Sequence, residues 1–478
     1  MPKSSNPGRT TAMIVGSLVL LVVIVYVIKI TFPPPFICPP ISGLDPPCTI
    51  NVVLDTSASM RGYYRGQTEF KDTLSRFAFA LDKFKQEPEK PHCPSTIAYQ
   101  YYDTGSRALV PAAADSTEFN NELLNDTVPS GNESPLQTML ERVVDESSGV
   151  PASPAPESRG PKKCPVPPSN SALSILITDS IFSYPDDMVA RNREINRENI
   201  RMLAQEVGII FNKAHAQGKS VSLLALKSQF HGTYYNYRND RSTWGTTPRP
   251  YYLWLIGSSA NIRAVRGFLQ SEGIIPDHAL DFVVDPFDPS PKILQYTERK
   301  GTWNRYNDEN PKRIHIRRPF PDDRNRNADQ DINLKKEVGF AVALDLSHLS
   351  PDQLSGDDLA THLKIESQSP DLQINNWAIK TRAEIGSRLN PMDREEIPHA
   401  THIVLITTDF NFTKTAPLTI SIDDAPPSWY IKWSNDNDTL TDQHTLESTF
   451  GLRYFVDAIY EAYKLKGPVA KTTILLER

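Results

Sequence analysis

Between residues 55 and 59 the chain reads Asp-Thr-Ser-Ala-Ser, one carboxylate and two hydroxyls at alternate positions. In an extended stretch, residues two apart project the same way, so Asp55, Ser57 and Ser59 can converge while Thr56 and Ala58 face elsewhere. Hard oxygen donors from one tight loop suit Mg²⁺, which favours a near-octahedral oxygen shell and keeps several waters; Mn²⁺ and Ca²⁺ share the preference for oxygen. A second acidic string, Ile177-Thr178-Asp179-Ser180, offers another carboxylate. Tyr63, Tyr64 and Asp103 are candidates for the rim of the same site. The alternative reading is a strand-end turn whose polar residues cap the next helix.

The elements that must position these groups are legible from periodicity. Thr49 to Leu54 is apolar and β-branched and ends at Asp55, the pattern of a buried parallel strand. Phe70, Leu74, Phe77, Leu81 and Phe84 recur at spacings of three and four, which predicts a helix from Glu69 to Phe84. Strands follow at Thr96 to Tyr102, Ala172 to Ile177, Val221 to Leu226 and Tyr252 to Ile256. They alternate with helices at Pro135 to Val144, Asp186 to Ala216 and Asn261 to Leu269. Such alternation predicts an α/β fold, a mostly parallel sheet with helices on both faces, whose ligands bind outside the carboxyl ends of the strands. Asp55 and Asp179 both fall at such ends. Ser147 to Asn170 and Tyr234 to Pro250 read as surface loops, the second a candidate recognition loop because it carries Tyr and Arg.

Taken together, V-V-L-D-T-S-A-S-M at 52 to 60, L-I-T-D-S at 176 to 180 and G-N-E-S-P-L-Q-T-M-L at 131 to 140 resemble the von Willebrand factor A domain with its metal-ion-dependent adhesion site. The resemblance runs from Cys48 to Gly273 and implies a Rossmann-like domain. It also implies a metal shell in which the serines and a threonine supply hydroxyls, the two aspartates act largely through water, and a partner's carboxylate completes the coordination. Carried onto this chain, the metal residues are Asp55, Ser57, Ser59, Ser134 and Asp179. Ser134 stands where the family has threonine, and Ser180 where it usually has glycine after the second aspartate.

Beyond Gly273 the pattern shifts to short alternating runs: Val338 to Leu344, Leu363 to Ser367, Ile374 to Thr381, Ile403 to Thr408, Leu418 to Ile422, Trp429 to Trp433 and Thr472 to Leu476. These predict a β-rich C-terminal region over 274–478, with one amphipathic closing helix from Thr449 to Leu465. Arg299 to Asp331, dense in Arg, Asn and Asp, reads as a solvated loop. A net charge of -6 provides no global positive field for nucleic acid. No phosphate-binding glycine loop or nucleophile elbow occurs, and Gly257-Ser258-Ser259 reads as a helix cap. His399 and His402 read as a strand-edge pair.

Residues 1–11 precede an uncharged run from Ala12 to Ile28, and 12–32 is long enough to cross a bilayer as a helix. Lys3 and Arg9 before it favour a cytoplasmic N-terminus, which places a Pro-rich stalk at 33–47 and all that follows outside the membrane. Cys38, Cys48, Cys93 and Cys164 then read as disulfides; three pairings are possible, with 38 to 48 and 93 to 164 preferred. The resulting expectation is a non-enzymatic, single-pass protein of a bacterial inner membrane. Its periplasmic domain would capture a protein partner with an exposed acidic residue through Mg²⁺, with no small-molecule substrate evident. The rivals are an envelope metal-dependent hydrolase, for which Asp103 and Asp179 are the available bases, and a scaffold with a vestigial metal loop.

Overall fold

A computed structural model describes residues 48–86, 94–103, 106–129, 131, 136–146, 172–181, 197–236, 240–301, 303–305, 312–316, 336–370, 372–410, 415–424, 426–439 and 442–477. The expected anchor and stalk, Ser134, the Ser147–Asn170 loop, and Cys38, Cys93 and Cys164 lie outside these residues. Among the described residues no helix is long and apolar enough to cross a membrane.

The chain forms a mixed α/β layer followed by a β-rich region. In order, the first part comprises β1 (Cys48–Asp55), α1 (Arg61–Tyr64), α2 (Glu69–Gln86), β2 (Pro94–Asp103), β3 (Ala108–Ala113), α3 (Ser116–Leu124), α4 (Leu136–Glu146) and β4 (Leu173–Thr178). It continues through α5 (Arg197–Ala216), β5 (Ser220–Tyr235), β6 (Arg241–Gly257), α6 (Ser259–Ser271) and β7 (His278–Phe282). The seven strands make one sheet in the order β3-β2-β1-β4-β6-β5-β7. β1 and β4 are mostly apolar because helices cover both of their faces. Ile50, Val52 and Leu54 share one core with α2 and α6, while Val53 and Leu176 share the other with α4 and α5.

The sheet corrects the expectation of a mostly parallel arrangement. β1 runs parallel to β2 and to β4, but β2–β3, β4–β6, β5–β6 and β5–β7 are antiparallel. The β4–β6 and β5–β6 pairs arise from the stretch Tyr234 to Pro250, of which 234–235 and 241–250 are strand and not the expected loop. It belongs to a long hairpin in which β6 folds back between β5 and β4, and Asp240 N–H closes the turn on Asn236 Oδ1 at 2.9 Å. Thr178 pairs with Tyr252, so the hairpin from Arg241 to Tyr251 extends beyond the carboxyl end of β4. There it packs on α1, where Gly62 is required: a Cβ at this position would lie 2.2 Å from the Phe230 ring.

Among the described residues the β-rich region pairs β16 (Ser434–Asn435) with β17 (Thr449–Phe450) and holds two larger sheets. One has the order β12-β15-β18-β10-β9, from Leu363–Ser367 (β12), Thr415–Ile422 (β15), Ala470–Glu477 (β18), Arg313–Ile316 (β10) and Trp303–Arg305 (β9). The other, β13-β14-β11-β8, is built from Leu372–Thr381, His402–Phe410, Lys336–Leu344 and Lys292–Leu294. Both contribute to one core containing Phe340, Val342, Ile406, Ile420 and Ile474. β9 and β10 lie within the stretch read as a solvated loop, and Trp429–Lys432 is a one-turn helix where a strand is expected. The closing helix, Leu452–Ala462, packs on α5: Phe455, Val456 and Ile459 join Val207, Phe211 and Trp254 in one core.

Candidate metal centre

β1 and β4 are adjacent and parallel, with Leu54 opposite Ile177, so the next residue of each strand brings Asp55 beside Thr178. Thr178 Oγ1 donates to Asp55 Oδ2 at 2.8 Å, and the Ser57 N–H donates to Asp55 Oδ1 at 2.8 Å. The Ser57 and Ser59 hydroxyls lie 3.0 Å apart. Asp179 accepts from the Ile181 N–H at 3.1 Å, and the Ser59 side chain also bonds to it. The structure therefore brings together Asp55, Ser57, Ser59 and Asp179. Ser134 lies outside the described residues, but Gly131, three positions before it, reaches the loop: its N–H donates to the Thr56 carbonyl at 2.7 Å.

The loop is held from several sides. Thr56 Oγ1 donates to the Tyr102 carbonyl at 2.9 Å, the Tyr64 hydroxyl to the Asp55 carbonyl, and the Arg61 guanidinium to the Gly131 carbonyl at 3.2 Å. Tyr63 and Tyr64 are therefore not rim residues. Both are buried, and the Tyr63 hydroxyl donates to the Pro250 carbonyl at 2.6 Å, tying α1 to the hairpin. Asp103 holds its own turn by accepting from the Ser106 N–H at 3.0 Å.

Ser180 adopts φ +55°, the left-handed backbone that favours glycine. Two bonds hold it there: Trp254 Nε1 donates to Ser180 Oγ at 3.0 Å, and the Ser180 N–H donates to Thr178 Oγ1 at 3.1 Å. A relay thus runs from Ser180 through Thr178 to Asp55. Sequence reasoning missed Thr178 and Trp254. The signal for Thr178 was its register beside Asp55; for Trp254, on β6, no local signal existed.

Asp55 and Asp179 are 2% and 3% exposed, so both carboxylates have lost nearly all their water. Burial, followed by the charge of Asp179, pushes the Asp55 carboxyl up to about 6. Burial also raises Asp179, against hydrogen bonds from Ser59 and Ile181 and the positive charge of Arg249. Among the described residues no three His, Cys, Asp or Glu side chains cluster as metal ligands. The donor set here is two carboxylates and serine hydroxyls, all hard oxygens, which suits Mg²⁺ better than zinc or copper. Two like charges buried against each other are the situation a divalent cation relieves, so the residues fit the ion. Asp55, Ser57, Ser59 and Asp179 would hold it, and it would supply an electrophilic position for an incoming oxygen ligand.

Comparison with protein-family models, with curated proteins and with solved structures finds no match to this chain.

Proposed function

We propose that this chain is a membrane-anchored, extracytoplasmic binding protein whose von Willebrand factor A-like domain captures a protein partner through Mg²⁺. The observation that carries the reading is the meeting of Asp55 and Asp179 at neighbouring strand ends, both buried and both pushed toward protonation, with Ser57 and Ser59 beside them. An exposed carboxylate on the partner would complete the cation's shell by replacing one of its waters. The segment 12–32, uncharged from Ala12 to Ile28, supplies the anchor and sets the domain on the outer side of a cell membrane.

The test is isothermal titration of the chain with Mg²⁺ and Mn²⁺, followed by partner capture from detergent extracts with and without EDTA. Saturable binding that is lost in Asp55→Ala and Asp179→Ala, and capture that EDTA abolishes, are expected. Capture that survives both chelation and Asp55→Ala would sink the proposal.

A further inference from the structure

We propose that the partner captured at Asp55 and Asp179 presents an acidic peptide segment, several carboxylates in succession, of which one reaches the cation and its neighbours pair with Arg61, Arg107 and Arg142. This assignment deepens the function proposed above and rests on that metal reading.

The three arginines reach one edge by different routes. Asp55 stands opposite Tyr102 on the parallel strand β2, and the Tyr102 carbonyl accepts from Thr56 Oγ1 at 2.9 Å. β2 and β3 pair as far as Asp103 and Ala108, so the turn carrying Arg107 lies past the carboxyl ends of β1 and β2, where Arg107 is exposed. Arg61 follows the metal loop directly; it is half-buried and donates to the Gly131 carbonyl at 3.2 Å. Arg142 belongs to α4, which turns Met139, Leu140, Val143 and Val144 into the core and leaves Arg142 exposed. The Tyr102 hydroxyl ties these positions to the site. Burial raises its pKa most, the charges of Arg107 and then Arg142 pull it down, and the charge of Asp55 pushes it up. Both guanidiniums therefore act within electrostatic reach of the side chain beside Asp55.

The charge of this rim is not cancelled locally. Among the described residues Arg61, Arg107 and Arg142 form no ion pair, whereas cations elsewhere on the same domain do: Lys71 with Asp126, Lys83 with Glu272 and Lys213 with Asp145. Asp103, in the same turn as Arg107, is engaged by the Ser106 N–H at 3.0 Å. Two ionised carboxylates offset one divalent cation, so the loaded edge keeps the positive charge of the arginines. A single partner carboxylate would leave that charge unmet. An acidic segment meets it, because guanidiniums pair with carboxylates through charge-assisted, often bidentate, hydrogen bonds, and complementary charge sets both affinity and partner choice.

The test is fluorescence anisotropy on the full chain in Mg²⁺, with a labelled hexaglutamate peptide and a labelled peptide of equal length carrying one glutamate among glutamines. Hexaglutamate is expected to bind at least about tenfold more tightly, and less tightly as salt is raised. Arg107→Glu and Arg142→Glu should each weaken hexaglutamate binding by about tenfold without lowering Mg²⁺ affinity, which titration calorimetry reads separately. Lys471→Glu, the same change of charge on an exposed side chain of β18, should leave hexaglutamate binding unchanged. Thermal melts establish that each variant is folded. If Mg²⁺ binds but the two peptides bind equally, or folded Arg107→Glu and Arg142→Glu keep the parent affinity for hexaglutamate, the acidic segment is overturned and the metal reading stands. Hexaglutamate binding that EDTA does not weaken separates the arginines from the cation and overturns the proposal as well. A chain that binds no Mg²⁺ overturns the metal reading and this assignment with it. Oligothymidylate binding more tightly than hexaglutamate overturns the choice of a peptide.

Discussion

Two regions of this molecule bury a carboxylate almost completely, and they do so in opposite ways. In the β-rich region Asp393, 1% exposed, accepts from the N–H groups of Gln295, Tyr296 and Thr297 at 2.9, 3.0 and 2.7 Å and from Thr297 Oγ1 at 2.7 Å. At the carboxyl edge of the seven-stranded sheet, Asp55 accepts from the Ser57 N–H, from Thr178 Oγ1 and from the Ser57 side chain, and it faces the charge of Asp179. The first carboxylate is saturated by donors that would otherwise be orphaned, so it serves the fold. The second is held at a cost, and held costs at strand ends mark places where a ligand is expected.

The sharpest way to break this contrast is to remove Asp393. Asp393→Ala leaves three backbone N–H groups and a hydroxyl without their acceptor, those of Thr297 buried and the other two partly so, and each buried loss costs about 1–3 kcal/mol before relaxation. A net destabilisation of about 4 kcal/mol is expected by urea denaturation, with Mg²⁺ binding unchanged in whatever fraction remains folded. A loss below about 1 kcal/mol would remove the distinction between the two carboxylates.

The proposed metal edge should show the reverse dependence on charge. Because Asp55 is raised from 3.8 to about 6, the metal-free folded state binds more protons than the unfolded chain between those values. Stability in EDTA therefore falls as pH rises from about 4 to 6, by up to about 3 kcal/mol, since each pKa unit is worth about 1.4 kcal/mol. Bound Mg²⁺ favours the ionised form and should flatten or invert that slope, while Mg²⁺ affinity rises through the same window. Asp55→Asn should abolish this part of the slope without destabilising the metal-free protein at pH 7. Thermal melts across pH in EDTA and in Mg²⁺ measure all of these, and a slope identical in Asp55→Asn and the parent chain would show that Asp55 is not the group concerned.

The two regions were also unequally legible in the sequence. Asp55, Ser57, Ser59 and Asp179 were readable because each follows or ends a short apolar run, and alternation along an extended segment is a local property. The helices at Glu69–Gln86 and Ser259–Ser271 were readable for the same reason, with Ser258 capping the second by accepting from the Asn261 N–H at 3.2 Å. The hairpin was not: the Tyr, Thr and Arg that fill it serve equally in loops and in strands, and its pairing with β4 decides between them. Tyr63, a candidate for the rim, is buried instead. Its burial depends on Phe230 and Pro250, more than 160 residues away in sequence. Asp393 drew no attention, because its role is set by three backbone amides whose convergence is tertiary.

The finest test of the proposed metal edge is Ser180→Gly, which separates backbone strain from hydrogen bonding at a left-handed position. Glycine relieves a left-handed conformation that costs a side-chain-bearing residue about 1 kcal/mol, but it removes the Oγ that accepts from Trp254 at 3.0 Å, a bond worth about the same. The two effects oppose each other, so the change in stability should stay below about 1 kcal/mol in either direction. The Ser180 N–H that supports Thr178 is a backbone group and survives the substitution. Mg²⁺ affinity should therefore remain within about threefold of the parent, measured by titration calorimetry. A much larger loss would mean that the Ser180 hydroxyl itself, and not only the backbone beneath it, orders the carboxylates at this edge.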